Sequence, residues 1–168
     1  MSGKSDFRPS EQKIIQMSEE TTNYSYKDDF REGIVFAFVR DDEILIEHRL
    51  GKRNDTFIPN GSIEMKDHVA GQDYREVALL REVAEELGDH IELKQHDYLG
   101  EVKAEEIKVI FYIYVILQWD GETPAFSMEN GEKNADLEWV KLRDYKRYFI
   151  YDAAFDICKT ILRYQSAT

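Results

Sequence analysis

Residues 81–88 read Arg81-Glu82-Val83-Ala84-Glu85-Glu86-Leu87-Gly88 and put three carboxylates into less than two helical turns. Side chains three and four positions apart share a helix face. Glu82, Glu85 and Glu86 are therefore expected to project together, with Val77, Leu80, Ala84 and Leu87 on the opposite, apolar side. Acids this close repel one another unless a cation lies among them, and clustered oxygen ligands suit a hard cation such as Mg2+ or Mn2+. Most acidic helix faces are simply solvated surface. What sets this one apart is the stretch upstream, Phe57-Ile58-Pro59-Asn60-Gly61-Ser62-Ile63-Glu64, a short apolar strand running into a turn.

Together the two segments resemble the Nudix box: a Gly, five residues, a Glu, seven residues, Arg-Glu, an aliphatic residue, any residue, Glu-Glu, any residue and a Gly. Arg81 to Gly88 matches every fixed position of the second half. The first half departs. Asn60 stands where the family usually has the first Gly of Pro-Gly-Gly, and Asn tolerates left-handed backbone better than other side chains. Gly61 and Arg81 are separated by six residues more than in the pattern, which leaves two candidates for the first box acid. Asp67 has the right distance from Gly61, and Asp73 the right distance to Arg81. Asp73 also begins Asp73-Tyr74-Arg75-Glu76, the spacing of a capping box at a helix start. Asp89 fills a position that is normally aliphatic, with Ile91 close enough to supply the apolar contact.

The resemblance implies an α+β fold, a Nudix-type α/β/α sandwich with a mixed β-sheet between helices. It implies metal-dependent hydrolysis of a diphosphate linkage in a nucleoside tri- or diphosphate derivative, with Mg2+ or Mn2+ as cofactor. Glu82, Glu85, Glu86 and the backbone carbonyl of Asn60 or Gly61 are then the ligands, and Glu82 is ligand or general base. Arg81 holds a carboxylate through its planar fork. A further acid is expected from a later loop within 119–132: Glu129 first, then Glu132 and Glu122. Divalent cations between the acidic helix and a phosphate chain let two anions meet. Arg49, Lys52 and Arg53 are candidates for phosphate contact and Phe57 for stacking on a base, although solvation of the former and core packing of the latter account for them as well. The Pro that marks ADP-ribose pyrophosphatases downstream of the box is missing, since no Pro lies between Pro59 and Pro124.

Length and composition suit one domain, residues 29–168, behind an N-terminal extension of residues 1–28. A net charge of -12 argues against a nucleic acid or an anionic membrane as partner. It leaves a small nucleotide substrate open, because a bound cation with a few Arg and Lys side chains reverses the field locally. The single cysteine, Cys158, is expected as a buried, inert thiol in a cytoplasmic protein. The longest apolar run, Val109 to Leu117, is too short for a membrane helix. The four histidines lack zinc spacing. A homodimer is what the resemblance implies.

These side chains need a scaffold. Strands are expected at 33–39, 43–49, 56–58, 98–103, 107–119 and 137–141, from β-branched and aromatic runs. Helices are expected at 73–87, stopped near Gly88, and at 152–163, with Ala154, Cys158, Ile161 and Leu162 on one stripe. A small amphipathic segment around Ile14, Ile15 and Met17 suggests a short helix or an added edge strand. Two rival functions remain. One is a non-catalytic nucleotide-binding regulator, motivated by the altered first half of the box. The other is an isopentenyl-diphosphate isomerase-like enzyme, which needs a Cys or similar acid at the site.

Overall fold

Two strands with almost no polar interruption, β2 (Phe30–Arg40) and β7 (Val109–Asp120), lie side by side at the centre of the molecule. They pair in parallel from Arg31↔Val109 to Phe38↔Ile116, and a strand buried on both faces reads as a continuous apolar run. The computed structural model describes residues 23–51 and 55–168, so the segment around Ile14 to Met17, Lys52 and Arg53 lie outside the described residues. The other strands are β1 (Tyr26–Lys27), β3 (Glu43–Arg49), β4 (Thr56–Phe57), β5 (Asn60–Ser62), β6 (Glu92–Ala104), β8 (Phe126–Glu129) and β9 (Glu132–Lys141). The sheet runs β6-β7-β2-β3-β9-β8, with β1 and β5 on β2 and β4 on β3. Helix α1 (Tyr74–Leu87) covers one face and α2 (Asp152–Ala167) the other. This is the expected mixed sheet between helices.

Side-chain alternation along β2 divides the core. Val35, Ala37 and Val39 join Ala154, Ile157, Cys158 and Ile161 of α2, while Ile34, Phe36 and Phe38 join Ala78, Leu79, Val83 and Leu87 of α1. The far edge of β2 is shared. β5 occupies Gly33 to Val35 and β3 begins only at Val39, so the sheet splays between them.

Three elements differ from expectation. β6 begins at Glu92, because an edge strand with register shifts at Leu93/Gln95 and Tyr98/Gly100 needs no clean alternation. Residues 126–141 form a hairpin turned by Asn130 (φ 53°) and Gly131 (φ 77°), rather than a loop and one short strand. The third is the orientation of α1. Its buried side chains are Ala78, Leu79, Glu82, Val83, Glu86 and Leu87, while Leu80 is 50% exposed and Ala84 is exposed. Glu82 and Glu86 thus lie on the core side, not opposite it, and only Glu85 turns outward. No described helix is long and apolar enough to cross a membrane.

This orientation predicts an asymmetry between neighbouring leucines. Leu79→Ala should cost about 2–5 kcal/mol through the cavity it leaves, whereas Leu80→Ala should stay within about 0.5 kcal/mol. Urea unfolding of the two variants reads the difference directly.

Candidate active site

The chain from β4 to β5 crosses the splay. β4 pairs with β3 at Glu47↔Phe57, and three residues later β5 pairs with β2 at Val35↔Asn60. Pro59 sits at the crossing, where a ladder donor is not needed, and its carbonyl accepts from Phe36 N at 3.0 Å. Asn60 is a strand residue without positive φ, and its side chain donates to the Ile58 carbonyl at 2.9 Å. The expected left-handed turn is therefore absent, which is why Asn can stand there. Gly61 is needed for space: a Cβ on it would lie 2.2 Å from the Glu82 carboxylate.

Helix α1 is held at both ends and in the middle. Asp73 is its N-cap, accepting from Arg75 N at 3.0 Å, and Gly88 ends it at φ 112°, a conformation suited to glycine. Asp67 is the residue that meets Arg81. Its two oxygens accept from Arg81 Nε and Nη2, each at 2.8 Å, in a bidentate pair. Of the two candidates, Asp67 thus plays the pairing part and Asp73 the capping part. The extra residues fall after Asp67, in the turn that precedes α1. Arg81 also donates to the Ser62 carbonyl at 3.0 Å, to Glu82 at 3.0 Å and to Glu85 at 3.2 Å, and lies 3.5 Å from Glu64. Burial works against the guanidinium charge, but Asp67, Glu82 and Glu64 outweigh it. Asp67, 1% exposed, is likewise held below the ordinary carboxylate range, since the hydrogen bonds from Arg81 and Glu64 N overcome burial.

A second buried acid braces this assembly. Glu32 accepts from Ser25 Oγ at 2.6 Å and from the hydroxyls of Tyr74 and Tyr112, each at 2.5 Å. His68, in the extra segment, donates to Ser25 Oγ at 2.8 Å and stacks on Tyr74. Burial would raise Glu32, but the hydroxyls bring it below its ordinary value. This network is complete and ties the start of α1 to the sheet.

The inward acids are not complete. Glu82 and Glu86 are 6% and 7% exposed. Burial pushes both upward; at Glu82 the Arg81 guanidinium works against this, whereas at Glu86 the neighbouring Glu82, Glu47 and Glu129 add repulsion. Glu86 Oε1 has no hydrogen-bond partner. Among the described residues no three acid or imidazole groups already stand at ligand spacing around one point. Glu82, Glu85 and Glu86 nevertheless border one cleft of about 710 Å3, together with Asn60 and Gly61. All these donors are hard oxygens, and an orphaned buried carboxylate oxygen is what a divalent cation would satisfy.

Of the other expected residues, Arg49 lines the cleft and Arg53 lies outside the described residues. Glu129 also lines it, but from the end of strand β8 rather than from a loop. Phe57 packs against Phe111 and Tyr151 on the α2 side and does not border the cleft. Cys158 lies in the α2-side core with its thiol pushed up to about 12 by burial, so it offers no acid at the site. Sequence reasoning missed Arg31, which lines the cleft, donates to Ser62 Oγ at 3.0 Å and lies over the Tyr24 ring. It also missed Glu47, fully buried on β3. Neither carries a motif; strand register alone reveals them.

A sequence model described as the NUDIX domain matches residues 30–157. No curated protein matches in sequence. Among solved structures, a MutT NUDIX hydrolase from Burkholderia pseudomallei is similar at 24% identity and TM-score 0.59, over 78% of this chain and 97% of that one. A MutT protein from Bacillus halodurans is similar at 22% and 0.57, over 78% and 81%. The NUDIX domain of Shewanella oneidensis NrtR, in complex with ADP ribose, is similar at 15% and 0.53, over 88% and 97%.

Two outcomes follow from this geometry. Asp67→Asn should destabilise by about 3 kcal/mol, since it strips a buried guanidinium of its paired anion, whereas Asp73→Asn should be nearly neutral because Asn caps equally well; denaturant titration separates them. Gly61→Ala should melt within a few degrees of the parent, because the clashing atoms end a flexible side chain. Its crystal structure should show the Glu82 carboxylate displaced from Arg81.

Proposed function

Because the chain belongs to the Nudix family, its match covering residues 30–157, we propose that it hydrolyses a phosphoanhydride bond in a nucleoside tri- or diphosphate derivative with the help of a divalent cation, Mg2+ or Mn2+. The observation that carries this reading is the placement of Glu82 and Glu86. Two carboxylates lie on the core-facing side of a helix, where burial costs stability; Arg81 pairs with Glu82, but Glu86 keeps an orphaned oxygen that nothing in the scaffold satisfies.

Glu82, Glu85, Glu86 and the main-chain oxygen of Asn60 or Gly61 would hold the cation. When bound, it offsets the charge of the phosphate chain and polarises the bond that breaks. The remaining work belongs to the protein. Arg81 fixes the Glu82 carboxylate against Gly61 and keeps Glu85 at hand. Arg49 and Arg31, which line the same cleft, meet substrate oxygens, since a guanidinium fork suits phosphate. Glu129, exposed at the cleft, accepts the proton of the attacking water. The Tyr24 ring, already under Arg31, offers a flat face to a base.

Glu86→Gln should lower phosphate or pyrophosphate release at least about a hundredfold, more than loss of an outer-shell partner costs, while circular dichroism is unchanged. Without metal the variant should melt at or above the parent, because Gln avoids the cost of burying a carboxyl whose charged form burial disfavours. EDTA should abolish turnover and Mg2+ restore it. Full activity of Glu86→Gln refutes the proposal. Nucleotide binding by calorimetry without turnover across a panel supports the regulatory reading instead.

A further inference from the structure

Glu47 is not part of the box, yet its position repeats the peculiarity of Glu86. It is carried by β3, whose pairing with β9 sets Glu47 opposite Leu137 and Arg49 opposite Ala135. Leu45, two residues earlier on the same face, packs in the α1-side core. Glu47 therefore projects from the sheet toward the face of α1 that carries Glu82 and Glu86.

The residue is 0% exposed, and its Oε1 has no hydrogen-bond partner. Its other oxygen has one contact, Arg49 Nε at 3.4 Å, at the long limit for a hydrogen bond. The neighbours that act on it electrostatically are Arg49, Asp55 and Glu129, and Glu86 in turn feels Glu47. A solvated strand Glu would face outward, and a buried structural Glu would have its oxygens satisfied, as Glu32 does. Glu47 does neither.

We propose that Glu47 is a further ligand of the divalent cation, reaching it from the sheet side opposite Glu86. This rests on the reading of Glu82 and Glu86 as the cation site. It makes that site a clamp between sheet and helix, with α1 supplying one jaw and β3 the other. One cation then satisfies two orphaned oxygens, Glu47 Oε1 and Glu86 Oε1.

The test is Mn2+ binding by the full chain, followed by electron paramagnetic resonance and by the Mn2+-dependent rise in melting temperature. Glu47→Gln should weaken Mn2+ at least about tenfold, lose most of that rise, and melt no lower than the parent without metal. Glu47→Asp, which keeps the charge but retracts it by a methylene, should bind between the two; it also serves if Glu47→Gln fails to fold. Glu86→Gln separates the two readings. Weakening by Glu86→Gln with unchanged affinity in both Glu47 variants overturns this inference alone. Unchanged affinity in Glu86→Gln and in both Glu47 variants overturns the cation site altogether. A Glu47→Gln variant that binds Mn2+ normally but has a raised KM assigns Glu47 to positioning Arg49, and the inference fails.

Discussion

The organising constraint of this molecule is two carboxylates held on the wrong side of an amphipathic helix. Glu82 and Glu86 share the inward stripe of α1 with Leu79 and Val83. Apolar packing sets that rotation, since Leu79 is fully buried against the sheet and Val83 nearly so. Once the leucine and valine are docked, a 3.6-residue repeat leaves the glutamates nowhere to go but under the helix. Burial of ionised groups costs several kcal/mol each unless they are paired. The pairing available is partial: Arg81 serves Glu82, and Glu86 Oε1 is left without a partner.

Arg81 makes this tolerable and at the same time welds three parts of the chain together. One guanidinium spans Asp67 after β5, the Ser62 carbonyl within β5, and Glu82 and Glu85 on its own helix. A planar fork does this where a lysine could not, because each of its edges finds its own acceptor. Asp67 is itself fixed by Glu64 N in a one-turn capping box, so the anion meets Arg81 preorganised. The Glu32 cluster performs the same service for the helix start, and there every oxygen is satisfied. The contrast between that closed network and the open one around Glu86 distinguishes scaffold from site within a few residues of one another.

The box from Arg81 to Gly88 was legible because fixed residue types at fixed spacing are a local property, and so were the sandwich and the strands β2, β3 and β7. The rotation of α1 was not. Grouping charges together and leucines together puts Leu80 inside, and only the docked sheet shows that Leu79 and Val83 are the anchors and that two acids accompany them. Asp67 and Asp73 were undecidable by counting, because the extra residues can be absorbed on either side; a guanidinium reaching Asp67 decides it. β6 and β8 were blurred because edge strands carry polar side chains and bulges. Glu47 and Arg31 were invisible for a different reason. In the sequence each is one charged residue at a strand position, and whether that position faces water or a cleft depends on partners far along the chain.

The charge balance of the cleft closes the account. A chain of net charge -12 repels a phosphate chain at long range. The cleft is lined by Arg31, Arg49 and Lys66 as well as by Glu82, Glu85, Glu86 and Glu129, so both signs of charge border it. A polyanion is attracted by the basic side chains and repelled by the carboxylates until their charge is offset. A divalent cation does this in a way that protons cannot, because protonating Glu86 leaves a neutral, orphaned oxygen and supplies no attraction for phosphate. On the proposed reading, the same burial that makes the metal-free acids costly would favour the state in which cation and substrate are both present, since charge pairs shielded from water attract most strongly.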